Sequence, residues 1–232
     1  MTRTRRWMAQ GTELFLTGVD GLDAAAVDVP STLPGWSRRH LLAHLAANAE
    51  ALGNLVRWAE TGIETPMYAS PDARARGIED GSRLPATDLL TWPQASAEKL
   101  TEAMDSLTDK QWASRIVTAQ GRAVQATEIP WMRAREVFVH AVDLGVGITF
   151  SDLPADFLSA LGDDIVSKRS TASEATLHLE ASDTTARWEL SGSTAPAVVT
   201  APLADLVGYL SGRITNLSTI DGSPAPVLPP WL

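Results

Sequence analysis

The stretch WMRAREVFVHAVDLG, residues 131–145, places three ionisable side chains in an otherwise apolar helical pattern. Glu136 and His140 are four positions apart, and Asp143 follows three positions later. Residues three or four positions apart lie on one face of an α-helix, so the three side chains form a single stripe. Buried carboxylates and imidazoles need hydrogen-bonding partners or a metal ion. The stretch therefore predicts a helix that carries a polar cluster or a metal site.

A second stretch, SRRHLLAHLAANAEAL at residues 37–52, offers a further histidine for this cluster. The buried stripe of this helix is marked by Leu41, Leu45, Ala49, Leu52 and Val56. His44 falls at the edge of that stripe, whereas His40 lies outside it in the first turn. His44, Glu136 and His140 would form a two-nitrogen, one-oxygen ligand set. Such a set suits zinc with an open fourth position, although manganese, iron or nickel would also accept it.

A simpler interpretation of the same residues needs no metal. A glutamate and a histidine four positions apart are common on helices, and Glu136 could instead pair with Arg133, three positions earlier. We expect His40 to lie at the surface and His178 to occupy a solvated or cross-strand position. Trp36 and Trp131 flank the two helices, and we expect them to line the site.

The composition excludes several classes of function. The 232 residues carry a formal net charge of −9, which argues against a nucleic-acid partner. The chain has no cysteine, so it can form no disulfide, cysteine-ligated metal site or cysteine nucleophile. No apolar run approaches the roughly 20 residues of a membrane span, and no secretory signal pattern is present. We expect a cytoplasmic monomer with no membrane partner.

The pattern along the chain predicts two domains, residues 1–150 and 151–232. The first is expected to be an antiparallel bundle of four helices, near residues 3–22, 37–61, 86–107 and 130–145. Pro93 moves the expected start of the third helix to about Trp92. Residues 62–77 are expected to form a long ordered loop, and residues 115–130 are expected to be extended around a turn at Gly121.

The second domain is predicted to be a small α+β unit. It should contain a helix at residues 154–168 and a β-hairpin at residues 175–181 and 185–192. A third strand is expected at residues 195–201, followed by a helix from Pro202 to about Arg213 and an extended proline-rich tail. The fold class is therefore mainly α with an α+β second domain.

Three stretches resemble the mycothiol-dependent maleylpyruvate isomerases. They are LPGWSRRHLLAHLAANAEALGNLVRWAETGIETPMYAS at residues 33–70, TAQGRAVQATEIPWMRAREVFVHAVDLG at residues 118–145, and the ending PPWL. The similarity is dense over residues 33–83 and 116–146 and sparse in the C-terminal domain. The resemblance implies a DinB-like four-helix bundle that binds a divalent metal, taken as zinc, followed by a small α/β domain.

The resemblance also implies the residues of the site. His44, Glu136 and His140 correspond to the metal ligands, and Arg74, Asp143 and Arg213 correspond to residues important for activity. The implied reaction is the cis-to-trans conversion of 3-maleylpyruvate to fumarylpyruvate in gentisate degradation, with mycothiol as the thiol cofactor. The chain has no sulfur nucleophile of its own, which agrees with an external thiol.

A dicarboxylate substrate entering an acidic protein needs local cations. Arg74 and Arg213 are the candidates because a guanidinium can grip a carboxylate with two hydrogen bonds, and Arg122 is a weaker one. Their placement on different domains suggests a cleft between the domains. Asp143 could orient a metal ligand or shuttle a proton.

Two alternative functions stay open on the same scaffold. A mycothiol S-transferase would keep the three ligands without isomerising maleylpyruvate. A non-catalytic zinc-binding regulator or small-molecule carrier would bind metal without turnover.

Overall fold

The structure, a computed structural model, describes residues 2–169, 176–192, 196–229 and Trp231. It divides the chain into two compact units, Met1–Ile148 and Thr149–Leu232. The fold is mainly helical, with a small three-stranded sheet in the second unit. This agrees with the predicted fold class, which is mainly α with strands in the second domain. Searched over its described residues, the chain has no helix that is both long and apolar enough to cross a membrane.

The first unit contains six α-helices and a short hairpin among its described residues. The helices are α1 (Arg3–Asp20), α2 (Arg38–Thr61), α3 (Pro71–Ser82), α4 (Ala86–Asp105), α5 (Asp109–Trp112) and α6 (Ile129–Asp143). The hairpin pairs β1 (Arg115–Val117) with β2 (Ala123–Gln125) antiparallel, around the predicted turn at Gly121. Helix α1 packs against α6, and α2 packs against α3, α4 and α6. Helix α2 therefore has more helical neighbours than its companions and carries much of the core.

The core of this unit forms where the apolar stripes of the long helices meet. Phe15 of α1, Leu41 and Leu45 of α2, Leu89 of α4 and Leu144 after α6 belong to one buried cluster. These positions recur at helical spacing within each element, which is why the sequence predicts the helices well. Burying each of these large side chains contributes about 1.5–3 kcal/mol of transfer free energy.

Helix α3 corrects the prediction of a long loop at residues 62–77. Ser70 caps the helix by accepting a hydrogen bond from the backbone N–H of Ala73, and Pro71 occupies the first turn, where a missing N–H costs nothing. The loop prediction was wrong because this helix has a short apolar stripe, with Ile78 as its buried large apolar residue. The capping residues, rather than periodicity, were the available signal.

Helix α4 corrects the prediction that Pro93 lies in a first turn. The helix begins at Ala86 and continues through Pro93 without interruption. An interior proline costs about 3 kcal/mol. The burial of Leu89, Leu100 and Met104, at about 1.5–3 kcal/mol each, outweighs that cost.

Gly81 allows α3 to approach its neighbours closely. A Cβ atom at this position would lie 2.8 Å from Cζ3 of Trp92 and 3.0 Å from Cβ of Ala43. Both distances are shorter than side chains tolerate without movement. The spacing of α3 from α2 therefore depends on the absence of a side chain at Gly81.

The second unit contains α7 (Ala155–Arg169), β3 (Leu177–Ala181), β4 (Arg187–Leu190), β5 (Ala197–Ala201) and α8 (Leu203–Leu210). The strand order is β4-β3-β5, with β3 antiparallel to β4 and parallel to β5. The predicted hairpin and third strand are thus present. Of the residues predicted there, Ala175, Ala195, Pro230 and Leu232 lie outside the described residues.

Helix α8 ends at Leu210, three residues before the predicted end at Arg213. Gly212 has a φ of +76°, which takes the backbone out of the helix. The N–H groups of Arg213 and Ile214 turn back to the carbonyl of Gly208. Arg213 therefore lies in the turn after the helix.

Substitution of Gly162 tests the packing of the second unit. A Cβ atom there would lie 2.2 Å from Cζ2 of Trp188, whose indole N–H donates to Asp163 at 2.8 Å. We expect Gly162→Ala to lower the free energy of unfolding by about 1–3 kcal/mol through overpacking. Urea denaturation followed by circular dichroism measures the change.

Gly53→Ala is the matched control for that substitution. Gly53 also lies within a helix, but a Cβ atom there meets nothing within 4 Å. The control should be neutral or stabilising by up to about 1 kcal/mol, because alanine favours helix more than glycine does. A Gly162→Ala protein as stable as this control would contradict the packing described above.

Candidate functional site

The first turn of α2 separates the roles of its two histidines. Ser37 is the N-cap, and Nδ1 of His40 accepts a hydrogen bond from the Ser37 N–H at 3.3 Å, completing a capping box. The second nitrogen of His40 lies 3.5 Å from Glu79. His44, one turn later, is only 4% exposed and faces α6. His40 thus serves the helix end at a partly exposed position, and His44 enters the interior.

The structure brings His44, Glu136 and His140 together. Nε2 of His44 lies 2.9 Å from Oε2 of Glu136 and 3.2 Å from Nε2 of His140. Nε2 of His140 lies 3.5 Å from the same Glu136 oxygen. Three potential ligand atoms therefore converge on one point between α2 and α6, and they could hold a metal ion.

The spacing of these atoms fits a tetrahedral cation. Bonds of about 2.0–2.1 Å at tetrahedral angles separate two ligand atoms by about 3.3 Å, and the three observed separations bracket that value. A divalent cation would accept lone pairs from both imidazole nitrogens and from the Glu136 carboxylate.

Asp143 holds the far side of His140. Its Oδ2 accepts from Nδ1 of His140 at 2.8 Å, and its Oδ1 accepts from the hydroxyl of Thr32 at 3.3 Å. The Asp143 side chain is fully buried. A hydrogen bond at Nδ1 fixes the ring orientation and leaves Nε2 with its lone pair towards the cluster. Carboxylate–histidine pairs of this kind commonly support metal ligands.

The environment shifts the protonation of the three groups. Burial lowers the pKa of His44, and a hydrogen bond that His44 donates to Glu136 opposes this effect. Burial alone would raise the pKa of Glu136, but hydrogen bonds from His140 and His44 outweigh it and hold that pKa well below its usual range. Burial likewise opposes the charged form of His140, yet the hydrogen bonds to Asp143 and Glu136 raise its pKa. Glu136 is therefore a carboxylate and His44 a neutral imidazole near neutral pH, as ligands must be.

Arg74 lies beside this cluster. It is in the first turn of α3, where its backbone N–H donates to the carbonyl of Ser70 at 3.1 Å. Its guanidinium carbon lies 5.9 Å from the ring centroid of Tyr68. Its charge is near enough to lower the pKa of His44. Arg74 is an exposed residue, and its positive charge acts on the potential metal ligand His44.

Sequence reasoning missed two polar residues of this region. Tyr68 is partly buried in the loop before α3, and burial raises the pKa of its hydroxyl against the opposing charge of Arg74. Asn48 is buried on α2. Tyr68 carries no periodic signal, since it lies in a loop. Asn48 did carry a periodic signal, because it follows His44 by four positions on the same helix face.

Arg133 does not make the predicted pair with Glu136. It is 2% exposed, and its Nη1 donates to the carbonyl of Leu45 and to Oδ1 of Asn48, at 2.8 and 2.9 Å. Burial lowers the pKa of Arg133 to about 10, which leaves it charged at neutral pH. Among the described contacts Arg133 therefore forms no ion pair with Glu136, although the charge of Glu136 raises the pKa of Arg133 against the effect of burial.

The other two arginines are carried by other elements of the chain. Arg122 is exposed in the turn between β1 and β2, and its side chain forms no hydrogen bond or ion pair with any described residue. Arg213 belongs to the second unit, where its Nη1 donates to the carbonyl of Ser211 at 2.7 Å.

The two tryptophans expected at the site, Trp36 and Trp131, have different packing partners. Trp36 packs edge-on against His44, with ring centroids 5.5 Å apart. Trp131 instead packs against Trp7 of α1, with ring centroids 5.8 Å apart. Trp36 therefore lies against the cluster, while Trp131 contributes to the contact between α1 and α6.

Comparison with known proteins agrees with this geometry. A family model described as the mycothiol maleylpyruvate isomerase N-terminal domain matches residues 8–145, more than half of the chain. The chain belongs to this family. Membership in the mycothiol maleylpyruvate isomerase family makes the chain an enzyme of the isomerase class, and sets aside a non-catalytic regulator.

Solved structures extend the similarity beyond the matched domain. A crystal structure of the mycothiol-dependent maleylpyruvate isomerase is 37% identical, with a TM-score of 0.93, covering 98% of this chain and 95% of that one. A histidine-to-alanine mutant of the mycothiol-dependent maleylpyruvate isomerase matches with the same TM-score and coverage at 36% identity. A search of curated proteins returns no match.

Metal uptake tests the ligand set. We expect wild-type protein to bind one zinc ion per chain, and His44→Ala to weaken that binding by more than 100-fold. Asp143→Asn should weaken it by about 10–100-fold, because a partner behind a ligand tunes its basicity and orientation. Calorimetric titration of metal-stripped protein measures both affinities.

His178→Ala is the matched histidine control. His178 lies on β3 in the second unit, and His178→Ala should bind zinc as tightly as wild type. Equal zinc affinity in His44→Ala and wild type would rule out the proposed ligand set.

Proposed function

We propose that this chain catalyses the mycothiol-dependent cis-to-trans isomerisation of 3-maleylpyruvate to fumarylpyruvate in gentisate degradation. The observation that carries the proposal is the match over 98% of the chain to a crystal structure of the mycothiol-dependent maleylpyruvate isomerase. The cluster of His44, Glu136 and His140, with Arg74 beside it, supplies residues suited to that chemistry. We further infer that residues 1–150 form a DinB-like antiparallel four-helix bundle that binds metal and thiol, and residues 151–232 a small α+β domain. The proposal treats the enzyme as a cytoplasmic monomer.

The proposed metal is zinc, held by His44, Glu136 and His140. When bound, the cation supplies an open position for the mycothiol sulfur and keeps it as a thiolate, the nucleophile that makes the alkene bond temporarily single and rotatable. With the cation bound, His44 and His140 would be neutral imidazoles and Glu136 a carboxylate, because metal binding displaces the protons of its ligands. These ligands neutralise only one of the two metal charges, so the site favours an anionic sulfur.

Asp143 is proposed to orient His140 rather than to shuttle a proton. Its side chain is fully buried, and both carboxylate oxygens are engaged, one by His140 and one by Thr32. A group that exchanges protons with substrate needs access to it. The contacts of Asp143 support a fixed role behind the ligand.

Arg74 is the proposed grip for a substrate carboxylate. Arg74 is an exposed residue whose charge lowers the pKa of His44, and it lies in the capped first turn of α3. A planar fork of N–H donors matches a carboxylate and offsets the repulsion of a chain with net charge −9. Arg213 is proposed to bind the second substrate carboxylate, a role that the resemblance implies. Arg122 is a weaker candidate for the same role. Arg213→Ala and Arg122→Ala test these separately.

Turnover with and without mycothiol tests the proposal. We expect zinc-loaded protein to convert 3-maleylpyruvate only when mycothiol is present, because the chain has no cysteine. His44→Ala should lose turnover, while His178→Ala keeps it. The change in substrate absorbance measures the rate.

Two outcomes would redirect the proposal. Turnover without any thiol would overturn the mechanism. Transfer of mycothiol to other electrophiles, with no isomerisation of 3-maleylpyruvate, would instead identify a mycothiol S-transferase.

The role of Arg74 has its own test. We expect Arg74→Ala to lower kcat/KM for 3-maleylpyruvate by about 10²-fold, mainly through KM, since a charged hydrogen-bonded contact contributes about 1.5–3 kcal/mol. Zinc content should not change. Arg76→Ala is the matched control, because Arg76 is exposed on the same helix. Equal kinetics for the two variants would remove Arg74 from the site.

A further inference from the structure

Arg133 is a buried cation that the proposed chemistry leaves without a role. Among the described residues of the first unit it is the one arginine or lysine that is buried. Its two hydrogen bonds go to neutral groups, the carbonyl of Leu45 and the side-chain amide of Asn48, and its Nε is buried without a described partner. It forms no ion pair with a described residue. Burial of a charge without a counter-charge is strongly unfavourable, so this charge calls for a function.

The hydrogen bonds of Arg133 place its guanidinium on the turns that carry the proposed metal ligands. Leu45, whose carbonyl accepts at 2.8 Å, directly follows His44 on α2. Glu136 follows Arg133 by three positions on α6, where such side chains are neighbours. The guanidinium therefore lies within roughly 10 Å of the ligand atoms, about two turns of helix. Arginine has only donors and cannot itself hold a metal ion.

A count of charges shows what Arg133 adds to the site. Zinc would bring two positive charges, and the Glu136 carboxylate would neutralise one of them. Asp143, buried behind His140, would neutralise the second. With both imidazoles neutral, the sum is zero when the fourth ligand is water. Arg133 raises the sum to one positive charge, which an anionic fourth ligand would balance.

The burial of Arg133 makes its charge more effective than the exposed charge of Arg74. Arg133 is 2% exposed, and it keeps its proton at neutral pH because burial lowers its pKa only to about 10. Water and salt screen an exposed charge such as Arg74 much more than a buried one. The positive potential at the ligand cluster therefore depends more on Arg133 than on Arg74.

We propose that Arg133 is a buried positioning charge that makes the fourth position of the metal site selective for anionic ligands. The inference deepens the proposed function and rests on its metal site. Arg133 does not touch the fourth ligand and acts on it through its electric field. The anion that the proposed reaction brings to this position is the thiolate of mycothiol.

Opposite effects on cations and anions distinguish this role from a structural one. A fixed positive charge weakens the binding of zinc and strengthens the binding of an anion to the zinc site. Loss of the charge should therefore tighten zinc binding and weaken anion binding. General damage to the ligand cluster would weaken both.

Arg133→Gln tests the proposal because it removes the charge and keeps an N–H donor at the position. We expect zinc to bind metal-stripped protein at least about 10-fold more tightly than wild type in calorimetric titration, because a unit charge at roughly 10 Å and an effective dielectric constant near 20 changes an affinity by about that factor. Thiocyanate should bind the cobalt-loaded protein about 10-fold more weakly, measured by its visible absorbance. Neutral imidazole should bind within about 3-fold of wild type, since it carries no charge.

Arg133→Lys is the matched control, since it alters the same hydrogen bonds but keeps a positive charge. We expect its zinc and thiocyanate affinities to stay within about 3-fold of wild type. Arg74→Ala gives a second test that does not depend on the folding of a core variant, because Arg74 is exposed. It should keep most of the wild-type preference for thiocyanate over imidazole. Loss of that preference in Arg74→Ala would assign it to the exposed arginine and overturn the proposal.

The possible results separate this inference from the proposed function, because neither affinity requires turnover. Tighter zinc and weaker thiocyanate in Arg133→Gln would support the inference even in a protein without mycothiol-dependent turnover, which would itself refute the proposed function. Weaker binding of both ions in an enzyme that turns over would show that Arg133 only maintains the fold. Unchanged affinities would exclude an electrostatic role. A wild-type protein that binds no zinc would remove the basis of both proposals.

Discussion

The contact between α2 and α6 is the constraint on which the rest of the first unit depends. Apolar surfaces alone would allow two helices to slide by a turn. Here Arg133 of α6 binds the carbonyl of Leu45 and the side chain of Asn48, and His44 meets Glu136 and His140. A shift of either helix would strand a buried cation and several imidazole nitrogens, each at a cost of several kcal/mol. The polar row therefore fixes the register of the two helices.

The predictable part of the site is the part carried by helical periodicity. His44, Glu136 and His140 were predicted because spacing on a helix determines which side chains share a face, and His40 was excluded because it falls outside that face in the first turn. Tyr68 was missed because a loop residue has no periodic neighbours to place it. Helix α3 was missed because its apolar stripe is short, although Ser70 and Pro71 mark its start. Pro93 led to a helix start that was placed too late, near Trp92. The cost of an interior proline is outweighed by the burial of apolar residues along the rest of α4.

The resemblance and the residue pattern contributed different things. Periodicity indicated which side chains meet, but it named neither the sulfur compound nor the substrate. The family relationship supplies the reaction class, yet it assigns no contact. Arg74 is an example of what neither source predicts. No spacing rule relates Arg74 to His44, because the helices that carry them are brought together by the packing of α3 on α2. The placement of such residues follows from tertiary packing, which short-range sequence rules do not contain.

The absence of a Cβ atom at Gly81 sets the spacing between α3 and α2. At Gly81 the backbone of α3 lies against Ala43, the residue before His44, and against Trp92. A methyl group there would act as a wedge near the end of the helix opposite Arg74. The helix would pivot, and the guanidinium would move relative to the imidazoles without any change in the residues that contact substrate. The distance between the guanidinium and the imidazoles is thus set in part by a backbone position that belongs to neither group.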